Sequence, residues 1–583
     1  FTSMTSQNNS VIINFIWKVA DDVLRDIYVK GKYRDVILPM TVLTRIDSEL
    51  IETKEKVLAE YEKFKDKITN IEPILERATG YAFYNTSPFT LKKLLNDPVN
   101  IRANFKQYLN GYSQNIQDIL QKFKFENQIQ TLEEADILFR LIQEFSGESE
   151  KLSPKNLSNH DMGYVFEELI RKFNEENNEE AWEHFTPREV IRLMTNILFL
   201  PVQNQIKDKP LSIYDPCVGS WGMLSVSKEF IQWDESRIKS SGNIFTFGQE
   251  VNPETYALCK ADMLLKWERD NKVAYGSTLS ADGFPDERFD FILTNPPYGK
   301  SWKTDEDKLA TGKKKEILDQ RFSVGTPRIN DGQLLFVLHM LSKMKHDTPL
   351  GTRIASVHNG SALFTGDAGS GESEIRKHII ENDYLEAIIA LPKELFYNTG
   401  IGTYIWVMTN RKPAQKKWKI QLINATSNEF FTRMTKSLWS KRNEIKDAGI
   451  QKIYELFDGF KDSDYSKIFD NEDFGYTQII VERPKRDENW AIITKKGKPE
   501  ADADLRDKEN IPLKENIQAY FEREVLPFAP DAWISDKERK VWYEINFNKY
   551  FYEYTPPRSL EEITRDILAL EVETDGVLKE IIS

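Results

Sequence analysis

The N-terminal part of the chain carries apolar positions at helical spacing. In VIINFIWKVADDVLRDIY, apolar side chains recur at steps of three and four residues, at Ile12, Phe15, Ile16 and Val19. This spacing places them on one face of an α-helix. The segment MTVLTRIDSELIETKEKVLAEYEKF repeats the pattern among many charged residues. The pattern predicts an α-helical domain over residues 1–175.

The pattern changes near residue 184, where short apolar runs begin to alternate with amphipathic stretches. The strand-like runs are LSIYD, IFTFGQE, FDFILT, RIASVHN, LEAIIALP and TYIWVMTN, and GQLLFVLHMLSKM is typical of the helices between them. Strands that alternate with helices favour a mostly parallel sheet covered on both faces. We therefore predict an α/β domain over residues 176–430.

The last part of the chain, residues 431–583, is charged and poorly periodic, which predicts an extension rich in loops. Its tail, SLEEITRDILALEVETDGVLKEIIS, regains a helical stripe of Leu560, Ile563, Ile567 and Leu570. An amphipathic helix buries its apolar stripe either on its own chain or on a partner. The pattern leaves both choices open.

Composition narrows the class of protein. The net charge is −13, which argues against a stand-alone nucleic-acid binder unless a local groove or a partner supplies the basic surface. The two cysteines, Cys217 and Cys259, form no CxxC pair, so we expect neither a disulfide framework nor a metal site. No apolar run is long enough for a membrane span, and the first residues lack a signal-peptide pattern. Two cysteines without a disulfide pattern fit a reducing cytoplasm.

Two strand ends carry acidic residues beside glycine-rich or helix-starting turns. In IYDPCVGSWGML, Asp215 ends a strand and Gly219 follows in the turn, which suits either a cofactor loop or a simple Asp-Pro turn. In FTFGQEVNPETY, Glu250 ends the next strand and could accept from ribose hydroxyls, while Asn252 is placed to cap the following helix. Asp282, in STLSADGF, is equally compatible with a contact to an adenine amino group and with an Asp-Gly turn.

The third strand end, ILTNPPYGKSW, is the most specific. An exocyclic amine is a poor nucleophile because its lone pair is delocalised into the ring. Asn295 Oδ1 and the Pro296 carbonyl can both accept hydrogen bonds from such an amine, and Pro296 and Pro297 stiffen the backbone that presents them. Tyr298 offers a face on which a planar base can stack. The alternative is a plain proline-rich turn.

Together, the segments FTPRE, DPCVGSWG, GQEVNPETYALCKADML and NPPYG resemble the modification subunit of type I restriction–modification systems. Downstream, DGQLLFVLHMLSKMK, LFYNTGIGTYIWVMTNRK and VWYEINFNKYFYEY resemble the same family, so the likeness runs close to full length. The resemblance implies a Rossmann-like, S-adenosylmethionine-dependent methyltransferase domain. It also implies transfer of a methyl group to N6 of adenine in DNA.

The resemblance assigns roles residue by residue. The implied catalytic residues are Asn295, Pro296, Pro297 and Tyr298. The implied cofactor-binding residues are His184, Phe185, Thr186, Pro187, Arg188 and Glu189 over the methionine end, Asp215, Gly219, Ser220 and Trp221 in the cofactor loop, Glu250 at the ribose and Asp282 at the adenine. Relatives usually have a small residue at the position of Trp221, so its side chain must point away from the cofactor or cap it.

The implied reaction needs a flipped adenine, because N6 cannot be reached inside a duplex. Phe396 or Tyr397 is a candidate for a second stacking aromatic. The implied partners are double-stranded DNA, a specificity subunit that sets the target sequence and a restriction subunit that carries out ATP-driven cleavage, with two copies of this chain per specificity subunit. Two rival functions stay open: methylation of a protein glutamine or RNA amine, and a DNA-binding scaffold without catalysis.

The glycine-rich stretch GDAGSGES, residues 366–373, precedes a predicted helix and so resembles a phosphate-binding loop. It lacks the Gly-Lys-Ser/Thr ending of a P-loop. We expect an ordinary loop near DNA and no triphosphate binding.

Overall fold

The computed structural model describes residues 2–147, 149–176, 186–232, 237–265, 272–312, 316–397, 399–438, 440–495, 497–536, 539–551, 559–560 and 562–566. The chain divides into two compact units, Phe1–Ile545 and Asn546–Ser583. They are described separately.

The N-terminal part of the first unit is helical, as the apolar spacing predicts. Its helices are α1 Thr2–Leu24, α2 Arg34–Leu50, α3 Lys54–Phe64, α4 Glu72–Thr79, α5 Leu91–Leu94, α6 Ile101–Asn110, α7 Gln114–Lys122, α8 Phe125–Glu134, α9 Leu138–Gly147 and α10 Asn159–Glu176. Ile16 and Val19 of the predicted stripe are buried in its core. Ala257 and Ala261, from a helix of the following region, belong to the same core cluster, which joins the helical part to the sheet that follows.

Beyond this part, strands and helices alternate. The strands are β1 Leu211–Asp215, β2 Ile244–Glu250, β3 Lys272–Tyr275, β4 Phe291–Thr294, β5 Ala310–Thr311, β6 Glu316–Ile317, β7 Arg353–Asn359, β8 Leu385–Ala390, β9 Thr403–Thr409, β10 Lys419–Asn424, β11 Thr432–Leu438, β12 Lys441–Glu444, β13 Ser466–Asp470, β14 Gly475–Glu482, β15 Thr494–Lys495, β16 Lys498–Pro499, β17 Asp507–Pro512, β18 Trp533–Ile534 and β19 Lys540–Tyr543. The helices are α11 Arg188–Phe199, α12 Gln203–Ile206, α13 Gly222–Gln232, α14 Pro253–Leu265, α15 Lys303–Leu309, α16 Gln333–Ser342, α17 Ser361–Phe364, α18 Gly371–Glu381, α19 Asp447–Gly459 and α20 Ile517–Tyr520.

Nine strands form the main sheet, in the order β13-β10-β8-β9-β7-β4-β1-β2-β3. Strand β1 pairs in parallel with β2 on one side and with β4 on the other, so the strand order reverses between β1 and β4. Strand β9 is antiparallel to both of its neighbours, β7 and β8. Strands β4 and β8 are buried throughout, because helices cover both faces of the sheet. The predicted α/β fold class is confirmed.

The main sheet continues past residue 430, where the α/β domain was predicted to end. Strand β13, from the charged segment KDSDYSKIFDNED, pairs antiparallel with β10 at the edge of the sheet. After it, β14 pairs with β17, β18 and β19 in a smaller antiparallel sheet. The boundaries at 175 and 430 therefore stay predictions, and the sheet itself crosses the second one.

The second unit contains α21, Phe547–Phe551, and a further helical stretch over the described residues 560 and 562–566. Of the predicted apolar stripe, Leu560 and Ile563 are exposed, and Ile567 and Leu570 lie outside the described residues. In the part of the chain that the structure describes, no helix is long and apolar enough to cross a membrane.

Candidate active site

The carboxyl ends of β1, β2, β4 and β7 surround a cavity of about 480 Å³. Open parallel sheets bind ligands at this position, where the strand order reverses and the loops on either side separate. Ten of the sequence-predicted residues line it: Thr186, Arg188, Asp215, Gly219, Ser220, Glu250, Asn295, Pro296, Pro297 and Tyr298.

Asp215 is a buried residue that ends β1 and lines the cavity. Its Oδ1 accepts hydrogen bonds from the Thr294 hydroxyl at 2.7 Å and from the Cys217 backbone N–H at 2.9 Å. Burial raises the pKa of Asp215 to about 7, against the opposing effect of these hydrogen bonds and with a further contribution from the charge of Glu250. The carboxylate is thus costly to ionise until a positive group approaches it.

Glu250 braces the same loop from the end of β2. Its Oε2 accepts from the Gly219 backbone N–H at 3.1 Å, and its Oε1 accepts from the Asn252 N–H at 2.8 Å. Gly219 has a φ of +55°, a left-handed conformation that glycine adopts without a Cβ clash. Asn252 caps α14, as predicted, since its Oδ1 accepts from the Glu254 N–H at 2.9 Å.

Trp221 is in the cofactor loop, but its side chain lies in the hydrophobic core and does not line the cavity. Its backbone φ is +73°, which is unusual for a bulky residue and costs roughly 1–2 kcal/mol. Of the two orientations that the sequence left open, the structure places the side chain pointing away from the cavity.

The Asn-Pro-Pro-Tyr segment lines the cavity directly after β4. Asn295 Nδ2 donates to Thr186 Oγ1 at 3.1 Å, which joins this segment to the residues before α11. Asn295 Oδ1 is buried and accepts no hydrogen bond from any described residue. Pro296 is buried, while Tyr298 is half-buried, and desolvation raises the pKa of its hydroxyl to about 12.

Three predicted cofactor residues other than Trp221 also lie away from the cavity lining. Pro187 is buried at the start of α11, and Glu189 forms an ion pair with Lys441 of β12. Asp282 accepts from Lys343 Nζ at 2.6 Å. Burial alone would raise the pKa of Asp282. The hydrogen bond from Lys343 and other nearby groups outweigh this effect, so the pKa lies below its ordinary value. The structure thus places Asp282 in an ion pair and not at a ligand position.

His184 and Phe185 lie outside the described residues. Phe396 and Tyr397, the candidates for a second stacking aromatic, are both buried and do not line the cavity. Tyr397 instead lies against Lys441, whose Nζ is 5.7 Å from the ring centroid.

Several cavity residues were missed by the sequence reasoning. Ser277, Thr278 and Leu279 follow β3 and line the cavity where Asp282 was expected. Asn359 ends β7 and lines it too, with Phe336, Thr399 and Ile401. Their position in the sequence could have identified them, because Ser277 and Asn359 both lie at the carboxyl end of a strand, where such sheets bind ligands.

The glycine-rich stretch 366–373 has a structural explanation. Gly371 begins α18, and a Cβ there would lie 1.7 Å from the Thr326 carbonyl oxygen. Glycine is therefore needed for the close approach of two backbones. Among the described residues, no group of three or more His, Cys, Asp or Glu side chains is placed to hold a metal ion.

The cavity fits a ligand that carries positive charge and hydroxyl groups. Asp215 and Glu250 are buried carboxylates, and within the described part of the chain neither forms an ion pair. S-adenosylmethionine has ammonium and sulfonium charges and two ribose hydroxyls, so its chemistry matches these two acceptors.

The fold and the cavity define a Rossmann-like methyltransferase. A solved methyltransferase subunit of a type I restriction–modification system from Streptococcus thermophilus shares this fold, with a TM-score of 0.61 and 22% identity over 80% of this chain and 97% of that one. A modification subunit of a putative type I restriction enzyme from Vibrio vulnificus also matches, with a TM-score of 0.52 and 17% identity over 84% of this chain and 95% of that one.

The chain belongs to the N-6 DNA methylase family, whose pattern matches residues 157–488. The HsdM N-terminal domain matches residues 12–145. The chain is 25% identical to the type I restriction enzyme MjaIX methylase subunit of Methanocaldococcus jannaschii, over 80% of each protein. It is 27% identical to the HindI methylase subunit of Haemophilus influenzae, over 54% of this chain and 65% of that protein. The predicted family and its S-adenosylmethionine-dependent reaction class are confirmed.

Proposed function

We propose that this chain is the methyltransferase subunit of a type I restriction–modification system and acts on N6 of a flipped adenine in double-stranded DNA. The observation that carries the proposal is Asn295 Oδ1, a buried acceptor without a partner among the described residues, on the wall of the cavity next to Tyr298. A buried acceptor of this kind is costly unless a ligand donates to it.

An adenine amino group supplies two N–H donors. Asn295 Oδ1 accepts one of them, and the Pro296 carbonyl accepts the other. With both protons held, the nitrogen lone pair turns out of conjugation with the ring and is directed across the cavity. Tyr298 stacks on the base and holds its plane. No covalent intermediate with the protein is needed, so Cys217 has no catalytic role.

We assign the part of the cavity lined by Asp215 and Glu250 to the cofactor. When bound, S-adenosylmethionine supplies a methyl group activated by its sulfonium. Glu250 would accept from the ribose hydroxyls, and the cationic groups of the cofactor would compensate the buried charge of Asp215. Thr186 and Arg188 complete this side from the start of α11, and Gly219 and Ser220 let the backbone of the cofactor loop approach closely.

The partners follow from the kind of subunit this is. The relatives described above are named as methylase subunits of type I restriction enzymes, so they act within larger assemblies. We place this chain in the cytoplasm, in a complex with a specificity subunit that selects the DNA sequence and, for cleavage, with a restriction subunit. Two copies per specificity subunit would present one cavity to each DNA strand. Residues 1–175 and 431–583 flank the catalytic region 176–430 and supply the contacts to these partners.

Asn295→Ala tests the proposal in the complex with the specificity subunit. With radiolabelled S-adenosylmethionine and a duplex that carries the mapped target, we expect transfer to fall at least 100-fold. Calorimetry should show a far smaller change in cofactor affinity, because the substitution removes the amine acceptor and, besides it, only the neutral hydrogen bond to Thr186. Asn127→Ala is the matched control, since Asn127 is exposed on α8 and lies outside the cavity lining. It should retain full activity.

Each rival function predicts a different result. Label entering protein or RNA and not DNA would support the methyltransferase of another substrate and contradict the proposal. Binding of DNA without any transfer by the wild-type complex would support the silent scaffold. Full activity of the Asn295→Ala complex would refute the role of the amine clamp.

A further inference from the structure

Asn359 is a cavity residue to which the proposed mechanism gives no role. It ends β7, the strand next to β4, and lines the same cavity as Asn295 and Tyr298. Asn295 and Pro296 account for the amino group of the base, but adenine also carries ring nitrogens that accept hydrogen bonds. The proposed mechanism gives these ring nitrogens no hydrogen-bond donor.

The orientation of the Asn359 amide is determined by its surroundings. Its Oδ1 accepts from the Ser361 backbone N–H at 3.0 Å, from the Ser361 hydroxyl at 2.6 Å and from Gln333 Nε2 at 2.7 Å. A backbone N–H can only donate, so the amide atom facing it must be the oxygen. The amide NH2 of Asn359 is left over, and no described residue accepts from it.

Gln333 is oriented by the same logic. Its Oε1 accepts from the Asn359 backbone N–H at 3.3 Å, so its Nε2 is the donor, to Asn359 Oδ1 and to Asp331 Oδ2 at 2.8 Å. Gln333 Oε1 also lies 3.2 Å from Nδ1 of His358. Burial lowers the pKa of His358 to about 3, so this ring is neutral at physiological pH. Two backbone N–H groups thus determine the direction of both amides.

This network also reaches the catalytic segment. Asp331 Oδ1 accepts from the backbone N–H of Gly299, the residue after Tyr298, at 3.0 Å. Asp331 and Gln333 are both buried, so the contacts are shielded from water. The buried pair Asp331 and Gln333 therefore links two parts of the cavity lining through hydrogen bonds: the segment that carries Tyr298 and the amide of Asn359.

We infer that Asn359 recognises the flipped adenine by donating from Nδ2 to a ring nitrogen, N1 or N7, and that Asp331 and Gln333 are positioning residues for this donor. The inference rests on the proposed function and extends it from an amine clamp to recognition of the base edge. Asn295 and Pro296 accept from the base, and Asn359 donates to it. A base that offers no acceptor at the matching position is then disfavoured.

The test uses the complex with the specificity subunit and three duplexes, which carry adenine, 7-deazaadenine or 1-deazaadenine at the mapped target. Each deaza base lacks one acceptor nitrogen and keeps N6. For the wild-type complex, we expect one analogue to lower kcat/KM about 10- to 100-fold, the range for a lost hydrogen bond to a base edge. The analogue affected identifies the nitrogen.

In the Asn359→Ala complex, kcat/KM on adenine should fall by a similar factor, and the penalty for that analogue should vanish. Effects of the analogues on duplex stability appear in both complexes and cancel in the ratio. Asn359→Asp, which keeps an oxygen toward Ser361 but loses the donor, should behave like the alanine variant. Unchanged affinity for S-adenosylmethionine in both variants would show that the cavity is intact.

An equal penalty for the analogue in wild-type and Asn359→Ala complexes would overturn the inference and leave the proposed function standing. So would full activity of Asn359→Ala on adenine. Absence of N6-methyladenine from the wild-type complex would instead overturn the proposed function, and the inference with it.

Discussion

Replacing Asp215 by Asn should stabilise the protein, and more so at high pH. Both hydrogen bonds to the Asp215 side chain end on one atom, Oδ1, from Thr294 and Cys217. Asparagine keeps an oxygen at that position and removes a buried negative charge. The folded protein holds a proton on Asp215 that the unfolded chain releases, because its pKa is raised from 3.8 to about 7.

The size and direction of the effect follow from this difference in pKa. Ionised Asp215 destabilises the fold by about 4 kcal/mol above pH 7, at about 1.4 kcal/mol for each pH unit between the two pKa values. The cost is absent below pH 4, grows as the pH rises from about 4 to 7, and is constant above. The gain from Asp215→Asn should thus be about 1.5 kcal/mol at pH 5 and about 4 kcal/mol at pH 8.

Urea unfolding followed by tryptophan fluorescence at both pH values, without cofactor, measures the gain. Asp282→Asn is the control of opposite sign. The pKa of Asp282 is lowered, so its ionised form stabilises the fold at pH values above its unfolded pKa, and the substitution leaves the buried Lys343 without its partner. That variant should unfold at lower urea at both pH values. A gain for Asp215→Asn that did not grow with pH would refute the reasoning.

Further substitutions test the cavity and the contacts that support it. Glu250→Ala removes a charged acceptor from the Gly219 loop and should weaken S-adenosylmethionine binding at least tenfold by calorimetry; unchanged affinity would contradict the role of Glu250. Lys441→Met leaves the carboxylate of Glu189 without its ion-pair partner and should lower the free energy of unfolding in urea by about 3 kcal/mol. Adding Glu189→Leu should recover part of this loss; no recovery would show that the broken ion pair is not its cause. Tyr298→Phe should keep most transfer activity, whereas Tyr298→Ala should lose about 10- to 100-fold in kcat/KM, since base stacking needs the ring and not the hydroxyl; equal loss in both would rule out stacking.

Local patterns were enough to predict six strands of the main sheet and ten of the residues that line the cavity. The six predicted strands all appear, from β1 to β9, because their apolar runs are long enough to be buried on both faces. Strand β13 was missed, since its charged sequence lies at the sheet edge, where only one side is paired. Asp215, Glu250 and Asn295 were predicted as site residues because they lie at the carboxyl ends of strands, and they do line one cavity.

Other site residues depended on contacts between distant segments. Nothing near Glu189 indicates that its carboxylate pairs with Lys441, which is 252 positions away. The side chain of Trp221 enters the core, and Asp282 pairs with Lys343, so neither faces the cavity despite its place in a motif. Asn359 carries no motif at all, and only its fixed amide and its place on the wall distinguish it.

The sequence by itself therefore determined the kind of elements and the chemistry at the strand ends, because spacing of two or 3.6 residues decides which side chains share a face. The tertiary structure alone decided which of those groups meet. A buried charge or amide is costly unless it forms an ion pair or a hydrogen bond. The tertiary structure decides which residue forms that contact, and this residue can be hundreds of positions away in the sequence. Among the described residues, the acceptor of Asn295 and the donor of Asn359 have no partner, and both belong to residues that line the cavity that we propose binds the base.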